Sequence, residues 1–264
     1  MNREQLLRFK EWFTEFAAGF YNEGDDFLNR NIRLKECHTH RVCREMRQLA
    51  QALEINGSDV PLAEAIALFH DVGRFPQFKR YRTYKDHISE NHCLLALKVL
   101  ADHDVLAEVS NDERAMIQTA VEFHGAKSLP PLDARTQLFA QMIRDADKID
   151  ILGLLAENYR ILAEEPEHFQ WELEFPDTPD CDPAIIDALC HHRLIDYHRI
   201  KTVNDAKLLQ LGWVYDVNFD WSLKQIRDRG HLRTIIDLLP KTEPVKRVTD
   251  DIMEYVNRRI DHAS

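Results

Sequence analysis

Glycine and proline are scarce, at 8 and 10 residues in 264. No low-complexity tract occurs, so the composition excludes a long disordered chain. Cysteine is sparse as well. Cys37, Cys43, Cys93, Cys181 and Cys190 form an odd set without a C-x-x-C pair. That argues against a disulfide framework and a four-thiolate zinc site, and fits a reducing compartment. No stretch approaches the ~18 consecutive apolar residues of a membrane span. The opening "MNREQLLRFKEWFTEF" carries charges throughout and lacks the apolar centre of a secretory leader. A cytoplasmic location is the expectation. Positive charge is also in short supply, the net charge being -11. No specific nucleic-acid binding is expected. An anionic substrate is still allowed, because a bound metal inverts the local field.

What the chain does have is helical periodicity. Apolar residues make up 44% of it, enough for a substantial core without covalent staples. Leu6, Phe9, Phe13, Phe16 and Phe20 mark an opening helix. A long helix from about residue 30 stops at "NGSD" (56–59). Pro61 then sits where a first-turn proline belongs, with Ser58 or Asp59 as the cap. That helix ends near Gly73. Residues 74–88 read as a basic, aromatic loop, and a new helix starts near Ser89. "SNDE" (110–113) opens a helix ending at Gly125. "SLPPLD" (128–133) is a linker, followed by a long helix over 134–164. Residues 166–183 are rich in proline and acids and form an excursion before helices at 183–200, 204–215, 218–239 and 245–262. The fold class is all-α. Residues 1–165 are expected to form the main helical domain, with 166–264 a helical extension packed on it.

Thirteen histidines make spacing alone misleading. Helical neighbourhood separates them, because i±3 and i±4 residues share a face. His38 has Leu34 and Val42 at those offsets, whereas His40 has Glu36 and Arg44. His70 and Asp71 end the apolar run of "LFHDVGRF" (68–75). His92 precedes Leu95 and Ala96, and His124 follows Ile117, Ala120 and Val121. In "IRDADKIDIL" (143–152), Asp147 lies between Ile143 and Ile151 and is the most inward aspartate, with Asp150 its rival. One inward histidine is ordinarily a satisfied core residue. Inward carboxylates are costly unless compensated. A metal cluster compensates all six residues together, using neutral imidazoles and ionised carboxylates.

The segments "HTHRV" (38–42), "FHDVGRF" (69–75), "YKDHISENHCLLALKVL" (84–100), "VEFHGAKSLP" (121–130) and "RDADKID" (144–150) resemble, in this order, the HD-domain superfamily of metal-dependent phosphohydrolases. The resemblance covers roughly residues 30–160. "HDVGRF" with "RYRTY", and "WVYDVNF" (213–219), also look like an uncharacterised bacterial subgroup of HD-domain proteins. The resemblance implies an HD-domain-like helical bundle. His38, His70, Asp71 and Asp147 match its core metal ligands. His92 and His124 match the extra histidines of two-metal members, with His87 an alternative to His92. Ala96 stands where relatives usually have Gly, and Gly125 where they often have His or Asn.

One or two divalent ions are therefore expected, from among Mn, Fe, Ni, Co and Mg. Asp71 would bridge two of them. Arg74 and Lys148, close behind ligands, would bind phosphate, and "QFKRYRTYK" (77–85) would close over a phosphorylated ligand. The implied activity is hydrolysis of a nucleotide or other small phosphoester by metal-activated water. A mixed-valent di-iron oxygenase on the same scaffold and a non-catalytic ligand-binding protein are the competing readings. Aromatic faces on the first and last helices offer surfaces for a homo-oligomer.

Overall fold

The computed structural model describes residues 1–169 and 174–262. Among these residues it is all-α. The contacts divide the chain into two compact units, Met1–Asp147 and Lys148–Ser264, and the division falls inside the longest helix.

In the first unit, α1 (Arg3–Ala18) starts from an Asn2–Gln5 capping box. Its Phe9 and Phe13 enter the core. The long α2 (Asp26–Ala52) packs along α3 (Val60–Phe69), which also meets α1 and α6 (Asn111–Phe123). Every residue of α3 from Pro61 to Phe69 is buried. A helix apolar on all sides belongs at the centre of a bundle. Its one charged member, Glu64, is paired with Lys10 at 2.5 Å and Arg47 at 3.3 Å. Pro61 takes its expected first-turn place, but Asp59 makes no side-chain cap. Its carboxylate instead accepts from Arg135 at 2.7 Å.

Residues 74–88 are not a loop. Arg74–Tyr81 form α4, and a short 3-10 turn covers Asp86–Ile88. Phe75 and Phe78 bury one face of α4, and Phe75 meets the rings of Phe13, Phe16 and Phe20 at 5.7–5.8 Å. Pro76 is tolerated because first-turn amides need no helical acceptor. Helix α5 runs from His92 to Asp102, capped by Asn91 rather than opening at Ser89. Helix α6 stops at Phe123, two residues before Gly125, and Ser110 caps its start. Helix α7 (Ala134–Glu164) occupies the expected span.

The second unit has its own apolar core, including Leu189, Leu208, Leu223, Ile226, Ile252 and Val256. The expected helix over 183–200 is shorter: α8 (Pro183–Cys190) ends in a turn, and a 3-10 turn covers Tyr197–Arg199. Helix α9 (Val203–Leu211) opens with a Thr202–Asp205 capping box and runs into a 3-10 turn over Gly212–Asp216. The expected helix at 218–239 is two helices, α10 (Asp220–Asp228) and α11 (His231–Asp237). They part at Gly230, whose φ of +79° suits a residue without a side chain. Helix α12 (Glu243–Asp261) packs on α10 and α8. Of the excursion at 166–183, residues 170–173 lie outside the described residues. Among the described residues, no helix is long and apolar enough to cross a membrane.

Candidate metal centre

The first unit gathers six side chains from five helices: His38 on α2, His70 and Asp71 after α3, His92 opening α5, His124 closing α6, and Asp147 on α7. His38, His70, Asp71, His92 and His124 are all buried, and Asp147 is half-buried.

The imidazoles of His70, His124 and His92 are held from behind. His70 Nδ1 donates to the carbonyl of Ala67 at 2.7 Å, and His124 Nδ1 to that of Val121 at 2.7 Å. Both use the same local device. The last carbonyls of a helix lack intrahelical partners, and a histidine just past the end can reach back to one. His92, at the start of α5, donates from Nδ1 to Asp86 Oδ2 at 2.6 Å. Carbonyls and ionised carboxylates only accept, so each of these Nδ1 atoms carries a proton, and in the neutral ring Nε2 holds the lone pair. Such backing fixes the tautomer of metal-bound histidines.

The Nε2 atoms meet in two pairs. His38 and His70 lie 3.2 Å apart, as do His92 and His124. Asp71 stands between the pairs. Its Oδ2 is 3.4 Å from His38 Nε2 and 3.7 Å from His70 Nε2. Its Oδ1 is 3.7 Å from His92 Nε2 and 3.8 Å from His124 Nε2. Asp147 Oδ1 joins the first pair, at 3.1 Å from His38 and 3.7 Å from His70. It is a buried atom without a hydrogen bond among the described residues.

These donors fit divalent metal. Ligand atoms about 2.0–2.1 Å from a common ion are themselves about 3.0–3.4 Å apart, close to the shorter separations here. The His92–His124 contact adds an electrostatic argument: when both rings are neutral and protonated at Nδ1, two lone pairs face each other at 3.2 Å, which a cation would relieve.

Electrostatics prepare the donors. Burial holds the His70 imidazole down to about 4, against the pull of Asp71 and Asp147, so it is neutral at physiological pH. Burial alone would raise Asp71, but Lys35, His70, His38 and Arg74 together hold its carboxyl well below the usual range. Asp147 is likewise depressed, with burial outweighed by His38 and His70. Asp86, which burial would raise, is held at about 2 by His92, Arg74 and Gln77.

The remaining expectations map as follows. His92 stands in the cluster, and His87 is exposed. Arg74 lies beneath the site: Nε is 3.5 Å from Asp71 Oδ1, while Nη1 donates to Asp86 Oδ1 at 2.9 Å and to the Tyr84 carbonyl at 2.6 Å. Lys148 pairs with Asp216 of "WVYDVNF" at 2.8 Å. In the 77–85 stretch, Arg80 pairs with Glu90 and Arg82 with Asp25, at 2.9 and 2.7 Å. Asp145, not Asp147, is the most deeply buried aspartate of "RDADKID".

Sequence reasoning missed four residues. Lys35 Nζ is 2.7 Å from Asp71 Oδ2, and the signal was its place one turn before His38. Asp86, six residues before His92, backs that ring. Buried Arg144 donates to the carbonyls of Phe123 and His124 at 3.3 Å and to that of Ala126, tying down the end of α6. Cys93 lies beside His92 and His124, and these three residues present donor atoms within 4.8 Å of one another.

The described residues thus define an all-helical bundle that turns histidines and aspartates inward from five helices, in groups that could hold a metal ion. The family model described as HD domain matches residues 36–152, a span enclosing all six residues. This match is consistent with the HD-domain superfamily of metal-dependent phosphohydrolases. Comparisons with curated proteins and with solved structures give no match.

Proposed function

We propose that the protein is a metal-dependent phosphohydrolase acting on a nucleotide or other small phosphoester, with His38, His70 and Asp147 holding one divalent ion, His92 and His124 a second, and Asp71 shared between them. The observation that carries this reading is the paired arrangement itself: two Nε2 pairs, each at 3.2 Å, with one oxygen of Asp71 facing each pair. When bound, two such ions supply Lewis acidity to phosphoryl oxygens and acidify a water at neutral pH.

The chain's own residues do the rest. Asp71 and Asp147, kept ionised, offset the ions' charge. The Nδ1–H bonds of His70, His92 and His124 hold these rings with Nε2 aimed inward, so little ordering is left for the moment of reaction. Lys35 and Arg74 add positive charge around Asp71, where an anionic phosphoester would approach. Arg74 acts in this reading as a positioning residue, linking Asp71 to the Asp86 that orients His92.

A phosphoester panel assayed with Mn, Fe, Ni, Co and Mg tests the proposal. Release of phosphate or of a nucleoside product that requires metal, and that Asp71→Asn abolishes, is expected. Two bound irons that consume oxygen, with no phosphoester cleaved, would replace it with the oxygenase reading.

A further inference from the structure

The two halves of the cluster are not alike. The His38–His70 half has nitrogen and oxygen donors only. The His92–His124 half has a sulfur beside it. Cys93 is the second residue of α5, and its amide donates to the Asn91 cap at 2.9 Å, which fixes the turn that carries it. Cys93 is 3% exposed. Its Sγ lies 3.4 Å from His92 Nε2 and 3.5 Å from the flank of the His124 ring at Nδ1. His124 Nδ1 already donates to the Val121 carbonyl, and His92 Nδ1 to Asp86. The sulfur therefore faces the inward His92 Nε2 lone pair.

The backbone makes room for it. A Cβ added at Gly125 would come within 3.3 Å of Cys93 Sγ and 3.3 Å of His92 Cε1, tighter than ordinary contact. The missing side chain after His124 thus leaves the space that the sulfur and the His92 ring fill. The half-site then presents His92 Nε2, His124 Nε2, Asp71 Oδ1 and Cys93 Sγ. The His92–His124 N–N separation is 3.2 Å, the His92–Cys93 N–S separation 3.4 Å, and the N–O separations from His92 and His124 to Asp71 are 3.7 and 3.8 Å. Two imidazoles, a carboxylate and a thiolate make a complete four-donor set for a borderline-soft ion.

We propose that Cys93 is a direct ligand of the metal in the His92–His124 half, which makes the two half-sites chemically unequal. This rests on the metal-site reading above. Binding forms a metal–sulfur bond, breaks the S–H bond and releases that proton to solvent. A thiolate ligand favours Zn, Fe or Co over Mg or Mn in this half, whereas the His38–His70 half keeps a harder donor set.

The test uses the full chain, stripped with a chelator and titrated anaerobically with Co(II). Wild type is expected to develop a near-ultraviolet sulfur-to-cobalt charge-transfer band as one equivalent binds. Cys93→Ser is expected to lose the band and to weaken that equivalent on the order of 10–100-fold or more, since supporting residues alone carry effects of that size. Cys43→Ser, which removes another buried thiol, should keep both. X-ray absorption on the zinc form should show one sulfur at about 2.3 Å. Wild type that binds two ions without the band, or a band that survives in Cys93→Ser, overturns the thiolate assignment and leaves the two-metal reading intact. A wild-type chain that binds no metal overturns both. Should Cys93→Ser not fold, Cys93→Ala and the wild-type absorption spectrum decide the question.

Discussion

Asp71→Asn separates the cluster's parts most sharply. The substitution keeps the size of the side chain and removes one negative charge facing four imidazoles at 3.4–3.8 Å. An asparagine carbonyl can still serve one half-site. Its amide group, a donor without a usable lone pair, must then face the other. Bound metal should fall from two ions per chain to one at most, and the remaining one should weaken. Stability of the metal-free chain should also fall. Lys35 Nζ, 2.7 Å from Asp71 with 16% of its side chain exposed, loses its carboxylate. Breaking a buried pair from one side costs about 3–5 kcal/mol, and partial water access places Lys35 near the lower end, at about 3 kcal/mol. Metal at 100 times its Kd stabilises the wild-type fold by about 2.7 kcal/mol per site. At about 2–4 °C per kcal/mol, one such site raises Tm by roughly 5–10 °C. Elemental analysis after desalting gives the stoichiometry, and melting with and without metal gives the shift. Asp145→Asn is the control. Asp145 is 0% exposed, yet it is absent from the convergent donor groups. It should cost stability and keep both ions. Two ions at wild-type affinity in Asp71→Asn, or an empty site in Asp145→Asn, would refute the assignment.

Two further predictions concern the supports of His92. Asp86→Asn removes the charged acceptor 2.6 Å from His92 Nδ1 and should weaken the His92–His124 ion on the order of 10–100-fold, leaving the His38–His70 ion unchanged. Calorimetric titration resolving two sites checks this, and two wild-type affinities would contradict it. Gly73→Ala would place a Cβ 2.2 Å from the His92 carbonyl oxygen and 2.5 Å from the Ala96 nitrogen, both backbone atoms. The start of α5 must then shift, at a cost of about 3 kcal/mol, the upper end for overpacking. Urea denaturation measures it, and a loss below about 0.5 kcal/mol would show that α5 yields freely.

The sequence revealed helices wherever local signals and burial agree. The span of α7 was legible because "SLPPLD" breaks the chain before 31 residues of sustained helical pattern. Helix α4 was not, because basic residues and Pro76 surround Phe75 and Phe78, and only tertiary contact with the rings of α1 shows that those two are core. The six cluster residues were legible because inward polar groups are unusual on apolar faces. Ranking the aspartates of α7 by flanking apolar residues failed for burial, since Arg144, Asp145 and Ala146 are all buried and the helix has no single inward side. Lys35, Asp86 and Arg144 were hidden for a different reason. A charged residue near another charged residue is ordinarily a solvated pair, and only geometry shows that these three brace residues of the cluster.

The geometry also explains why His70 and Asp71 can be neighbours. Adjacent residues within a helix point about 100° apart and would not serve one centre. Here α3 ends at Phe69, and residues 70–73 form a turn in which the Val72 amide donates to the Phe69 carbonyl and the Arg74 amide to that of Asp71. His70 uses the freed end of the helix to anchor Nδ1, while Asp71, already in the turn, swings its carboxylate between the two histidine pairs. Two residues later, Gly73 lets the α5 backbone approach so closely that a methyl group would collide with it. That approach carries His92 to 3.7 Å from Asp71 Oδ1. A single helix end thus supplies one imidazole of the first histidine pair and the carboxylate between the pairs, and the glycine beyond it sets the position of the second pair.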